Sequence, residues 1–208
     1  MAAGNRSYYG VECDIHVTSD NKYVVYHDDN TRRICDRETV IEETDFETLR
    51  ALKIKATGTD EFSDAYKMPT PEEYADLMKR YDKVAVVELK NPMAEQNIRE
   101  IIDIFKSRYD LEKVIFISFC FENLVYVRKF EPMQNVQFLV SKIEDGLIDR
   151  LAEYKFDIDA YYPFLTEETV VALHSKGIKI NCWTCDDKKE AKKLIGWGVD
   201  YITTNILE

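Results

Sequence analysis

Glycine-rich phosphate loops, long apolar runs and linkers are all missing from this chain. Only seven of its 208 residues are glycine, and neither GxGxxG nor GxxxxGK[ST] occurs. The dinucleotide and P-loop fingerprints are thereby set aside. No apolar run approaches the roughly 18 residues that a membrane-spanning helix needs. The first residues, MAAGNRSYYG, have neither the basic start nor the apolar stretch of a secretory signal. Internal repeats, low-complexity tracts and Pro/Gly-rich linkers are absent as well, so a single domain over residues 1–208 is expected. Positive charge is scarce: 28 Lys and Arg stand against 39 Asp and Glu, a net charge of -11. Such a field disfavours nucleic acid and anionic membranes as partners, and any anionic substrate needs a local cationic site. Five cysteines at irregular spacing read as reduced thiols, which points to the cytoplasm.

What is present is an alternation of β-rich and helical patterns. YYGVECDIHV, KYVVYH, KVAVVELK, KVIFISFC, VQFLVS, DIDAYYP, IKINCWTC and DYITTN read as strands. Several are apolar nearly throughout, as parallel strands covered by helices are. Between them lie helix start signals: Thr70-Pro71 with Glu73, Thr44 spaced before Glu47, Thr166, and Asp186 or Asp187 ahead of KKEAKKLIGWG. Gly177 suits a left-handed helix stop. Repeated β-then-α units predict an α/β fold, either a doubly wound sheet or a (β/α)8 barrel. The missing phosphate fingerprints favour the barrel, whose chemistry lies at the C-terminal ends of its strands.

Three short stretches carry chemistry. In VECDIHV, Glu12 and Asp14 are two apart and share one face of a strand. Side by side they repel, and a hard divalent ion such as Ca2+ or Mg2+ relieves the cost. A solvated strand end relieves it too. In VVELK, Glu88 and Lys90 repeat the spacing at the end of an apolar strand. Glu88 is suited to complete a three-carboxylate site and Lys90 to hold a phosphate oxygen, the plainer alternative being a Glu–Lys pair. His27 closes VVYHDD, where a proton-transfer group would sit, although a lone strand-end histidine is also a common structural residue. His16 extends the Glu12–Asp14 face by one step, where it either reaches a metal or, on the favoured reading, is a loop or rim histidine. His174, late in a helix before Gly177, is read as structural.

Together, ExD, then HDD, then ELK resembles the glycerophosphodiester phosphodiesterase family. The resemblance continues through INCWTCDD and GVDYITTN. It implies a TIM-type (β/α)8 barrel that binds a divalent metal ion, Ca2+ or Mg2+, through Glu12, Asp14 and Glu88. It further implies His27 as a catalytic histidine, Lys90 on the substrate phosphate, and Trp183 near the glycerol-binding end. The implied reaction is hydrolysis of a small-molecule glycerophosphodiester to sn-glycerol 3-phosphate and an alcohol. The family's opening His-Arg-Gly strand and the Glu-Asn-Thr stretch of its first helix have no counterpart here, and MAAGNRS resembles the tail of that helix. The expectation is therefore a barrel lacking its first strand and helix, with open edges that favour a homodimer. An inactive barrel that binds metal or phosphate is the alternative. Ser118 and Tyr161 or Tyr162 end other strands and line either the pocket or the core.

Cys182 and Cys185 form a CxxC, which raises a dithiol redox protein as a competing class. Redox pairs sit at a helix N-terminus that lowers a thiol pKa, whereas these fall at the end of IKINCWTC. A zinc site would want a second close pair, and Cys13, Cys35 and Cys120 are scattered.

Overall fold

The computed structural model describes residues 3–208, which divide into two compact units, one up to Val114 and one from Ile115 to Glu208. In the first unit β1 (Gly10–Val17) is followed by the short β2 (Tyr23–Val25), α1 (Phe46–Arg50), a small hairpin of β3 (Ile54–Lys55) and β4 (Phe62–Ser63), then α2 (Pro71–Tyr81), β5 (Val84–Leu89) and α3 (Glu95–Arg108). β1 and β5 are parallel, in register from Gly10 opposite Val84 to Ile15 opposite Leu89. β2 runs antiparallel on the other side of β1, with Ile15 opposite Val25. Gly10 is required where the two parallel strands begin, because a Cβ there would lie 2.9 Å from the Val84 carbonyl oxygen.

The segment between β2 and α2 is held by its own apolar cluster: Val24, Tyr26, Cys35, Ile41, Leu49, Leu52 and Met68. Ile41, Leu49 and Met68 are fully buried, and each such side chain contributes on the order of 1.5–3 kcal/mol. This anchoring fixes the loop that follows His27. α2 opens with the expected capping box, in which Thr70 accepts from Glu73 N while the Glu73 side chain accepts from Thr70 N. The α1 start differs by one residue from the sequence expectation. Asp45, not Thr44, caps the helix by accepting from Thr48 N at 3.0 Å. The Thr44 hydroxyl instead donates to the Val40 carbonyl at 2.7 Å, closing the preceding turn.

The second unit alternates strictly: β6 (Val114–Ser118), which opens at the junction, α4 (Phe121–Phe130), β7 (Asn135–Val140), α5 (Leu147–Tyr154), β8 (Asp157–Tyr161), α6 (Glu167–Ser175), β9 (Ile180–Trp183), α7 (Lys188–Trp197) and β10 (Tyr201–Ile202). Its five strands pair in sequence order, all parallel. Gly177 takes φ +75 and its N–H returns to the His174 carbonyl, ending α6 as read from the sequence. Asp187 is the cap of α7, accepting from Lys189 N and Glu190 N. Asp186 faces the other way and accepts from Thr204 and Asn205. The MAAGNRS stretch gives a 3-10 turn at Ala3–Asn5, with its first two residues outside the described range. Among the described residues no helix is long and apolar enough to cross a membrane.

Candidate active site

The pleat and the register of β1 and β5 bring the three acids together. Glu12 and Asp14 point to one face of β1, and Asp14 lies directly opposite Glu88 on β5. A carboxylate oxygen from each of Glu12, Asp14 and Glu88 lies within 4.8 Å of the others. Lys90 sits just beyond β5, its N–H donating to the Ile15 carbonyl at 3.1 Å and so continuing the ladder. Its ammonium lies 3.0 Å from Glu88 Oε1 and 3.3 Å from Asp14 Oδ1.

Asp14 and Glu88 are nearly buried, while Glu12 opens to solvent. Burial raises the Glu88 carboxyl above its usual range, and the neighbouring Asp14 adds to the rise against the opposing pull of Lys90. Burial alone would lower the Lys90 ammonium, but Glu88 and Asp14 outweigh it and the net direction is upward. Lys90 therefore stays charged. Asp14 and Glu88 share the Lys90 ammonium, and with Glu12 within 4.8 Å of both, three like-charged groups lie close together. The donor set is all carboxylate oxygen, which fits a hard divalent ion and not a thiophilic one.

The backbone just before His27 is fixed beside β1, since Tyr26 N donates to the Asp14 carbonyl at 2.9 Å and prolongs the β1–β2 pairing by one residue. The His27 imidazole is largely exposed, at 71%. Nδ1 lies 2.6 Å from Asp28 Oδ1. Arg33 grips the same carboxylate, Nε donating to Oδ2 at 2.7 Å and Nη2 to Oδ1 at 3.1 Å. That guanidinium holds the Asp28 carboxyl down at about 2.

His16 corrects the expectation of a loop or rim residue. It lies inside β1 and is fully buried, with Nδ1 3.4 Å from Glu42 Oε1 and, among the described residues, no hydrogen-bond partner at Nε2. Burial lowers its pKa, although Glu42 pulls upward. The turn at Ile41–Glu43, buried through Ile41, carries Glu42 over the end of β1. No pattern in VECDIHV reveals that covering turn, because it comes from 26 residues further along. Asn91 clasps the same turn: it takes φ +53 directly after Lys90, and its amide donates to Glu42 at 2.8 Å and Asp29 at 3.4 Å. A non-glycine residue in that conformation next to a cleft lysine marks a locally constrained site.

In the second unit the strand ends carry rings. Trp183 closes β9, its indole N–H donating to the Asp159 carbonyl at 3.2 Å. Its ring lies 5.1 Å from Tyr161 and 5.6 Å from Phe119. Phe119 and Tyr161 are exposed and Trp183 half-buried, so the tryptophan belongs to a surface aromatic cluster and not to the core. Ser118 is buried and accepts from Cys120 N and the Asn123 amide, a structural role. His174 pairs with Asp200 at 3.0 Å, also structural.

The CxxC lacks redox chemistry's usual setting. Both cysteines are buried, and burial pushes Cys182 up to about 12 and raises Cys185 as well. A reactive thiol needs the opposite shift. Among the described residues the one cluster with metal-site spacing is Glu12, Asp14 and Glu88.

Parallel strands alternating with helices, with acids gathered on neighbouring parallel strands, are the arrangement of a TIM-type barrel. The glycerophosphoryl diester phosphodiesterase family model matches residues 1–208, and the chain belongs to that family. It is 25% identical over 205 residues to a glycerophosphodiester phosphodiesterase of Caldanaerobacter subterraneus, covering 94% of this chain and 82% of that one. A Bacillus subtilis glycerophosphodiester phosphodiesterase is 26% identical over 218 residues, covering 94% and 73%. Among solved structures, an Oleispira antarctica phosphodiesterase in complex with the product sn-glycerol-3-phosphate superimposes with a TM-score of 0.87 at 23% identity, over 98% of this chain and 83% of its own. A glycerophosphodiester phosphodiesterase from Parabacteroides distasonis gives 0.81 at 26% identity, over 98% and 82%.

Proposed function

We propose that residues 1–208 form one phosphodiesterase domain that hydrolyses glycerophosphodiesters to sn-glycerol 3-phosphate and an alcohol, with a divalent ion held by Glu12, Asp14 and Glu88. The observation that carries this reading is the convergence of those three acids within 4.8 Å, with Lys90 Nζ against two of them. The sn-glycerol-3-phosphate bound to the Oleispira antarctica relative supports the choice of substrate.

When bound, the ion supplies charge neutralisation at the phosphoryl oxygens. The chain's own groups do the rest. Lys90, kept protonated by its two carboxylates, adds a fixed positive charge for a phosphate oxygen in a protein whose net field is negative. In the reaction a water oxygen bonds to phosphorus, the phosphorus–oxygen bond to the alcohol breaks, and the proton lost by water is balanced by one gained by the alcohol oxygen. His27, exposed at a strand end, is the side chain that moves a proton to or from one of those oxygens. Trp183 offers an apolar face to the glycerol end, as exposed rings do for carbon-bound hydrogens.

The test is release of sn-glycerol 3-phosphate from glycerophosphocholine with Mg2+, with Ca2+ and with a chelator. Ion-dependent release, lost in Glu88→Gln, is expected. Release that survives chelation would contradict the role of the ion. A folded chain that binds the ion yet releases nothing would instead be a metal-binding barrel without turnover.

A further inference from the structure

We propose that Asp28 and Arg33 are positioning residues that fix the ring of His27 and its tautomer, making Nε2 the nitrogen that handles the proton. This inference rests on the reading of His27 given above and deepens it, since neither residue belongs to the acid cluster.

The geometry is a three-member chain. Arg33 donates two hydrogen bonds, one to each oxygen of Asp28, at 2.7 and 3.1 Å. A guanidinium fork on a carboxylate fixes the orientation of both planes. The oxygen that accepts from Nη2, Oδ1, is also the one 2.6 Å from His27 Nδ1. With Asp28 held ionised by Arg33, that oxygen has no hydrogen to give. The short contact must then be Nδ1–H donating to the carboxylate. In the neutral ring Nε2 therefore carries the lone pair, and in the charged ring Nε2 carries the transferable proton.

The loop bearing Arg33 is itself fixed. Thr31 is fully buried, its hydroxyl donates to the Arg37 carbonyl at 2.6 Å, and Cys35 N returns to the Thr31 carbonyl at 3.0 Å. Asn30 bridges to Val40, and the Asn30 side chain accepts from Arg32 N at 3.2 Å. Arg33 thus leaves a closed turn at a set position. Its side chain is 59% exposed and the imidazole 71%. An exposed pair of this kind adds little to folding. Its geometry acts on the orientation of a neighbouring ring, much as outer-shell carboxylates orient histidines elsewhere.

The test combines kinetics with a tautomer readout on the full chain. Asp28→Asn, Arg33→Met and Arg33→Lys are assayed for glycerophosphocholine hydrolysis, and the His27 ring nitrogens are followed by 15N NMR, which works whether or not the variant turns over. Asp28→Asn should lower kcat by about 10²-fold with KM within about twofold, and should shift neutral His27 toward the Nε2–H form. Arg33→Met should lose about tenfold in kcat, and Arg33→Lys should recover part of it. Both arginine variants are exposed changes expected to melt like the parent, so they keep the test valid if Asp28→Asn folds poorly. A parent His27 that is Nε2–H when neutral, or Asp28→Asn with parental kcat and tautomer, overturns the inference while leaving His27 catalytic. His27→Ala with undiminished kcat overturns both the inference and the reading beneath it.

Discussion

The strands of the first unit carry charge, and the strand ends of the second carry rings. Glu12 and Asp14 lie within β1, Glu88 and Lys90 at the end of β5, and His27 just past β2. Phe119, Tyr161 and Trp183 close β6, β8 and β9. The energetic sense of the two is opposite. Burying aromatic area is favourable and edge-to-face ring contacts add to it. Burying Asp14 and Glu88 side by side is unfavourable, as the raised Glu88 carboxyl records. A fold retains such a cluster where function requires it, and covers it with fixed backbone: Ile15 paired to Leu89, Lys90 N bonded to Ile15, and Asn91 clasping the turn that carries Glu42. On the function proposed above, the acids of the first unit take part in bond-breaking and Trp183 contacts the glycerol carbons.

That division is open to direct attack. Glu12→Gln, Asp14→Asn or Glu88→Gln should each cost the most, about 10³-fold or more in kcat/KM, measured by coupled assay at saturating Mg2+. His27→Ala should follow, with about 10² to 10⁴ lost from kcat. Since Asp28 does not take up a proton until near pH 2, activity lost between pH 5 and 7 in the parent cannot come from Asp28. A smaller and different effect belongs to Trp183→Ala: KM up by about tenfold, roughly 1.4 kcal/mol, with kcat within about threefold. Loss of kcat alone would erase the division. Thr70→Ala, which breaks a capping box remote from both clusters, should lower stability by about 1 kcal/mol and leave kinetics unchanged. Least of all, alkylation of native chain at pH 8 should scarcely label Cys182, whose thiol at about 12 leaves about 10⁻⁴ as thiolate.

Much of the candidate site was readable as spacing. Two acids at i and i+2 must share a strand face, and a second such spacing in VVELK ends the strand that pairs with the first. Thr70 and Gly177 declared their helix boundary roles through local chemistry alone. What was illegible depends on contacts distant in sequence or on competition between neighbours. Asp45 displaces Thr44 as a cap because the threonine hydroxyl is taken by Val40. His16 is buried by a turn that carries Glu42. Arg33 gives no hint in HDDNTRR of which acid it will grip, because three aspartate or asparagine side chains precede it and the turn through Thr31 decides. Trp183, in an apolar strand, reads as core until Phe119 and Tyr161 are seen beside it at the surface.

The central claim is that Glu12, Asp14 and Glu88 form one divalent-ion site, and calorimetric titration of Mg2+ and of Ca2+ into the parent chain and Glu88→Gln tests it without relying on turnover. The account predicts a single site per chain in the parent and an affinity at least about tenfold weaker in the variant. Equal affinity in the two proteins would contradict it.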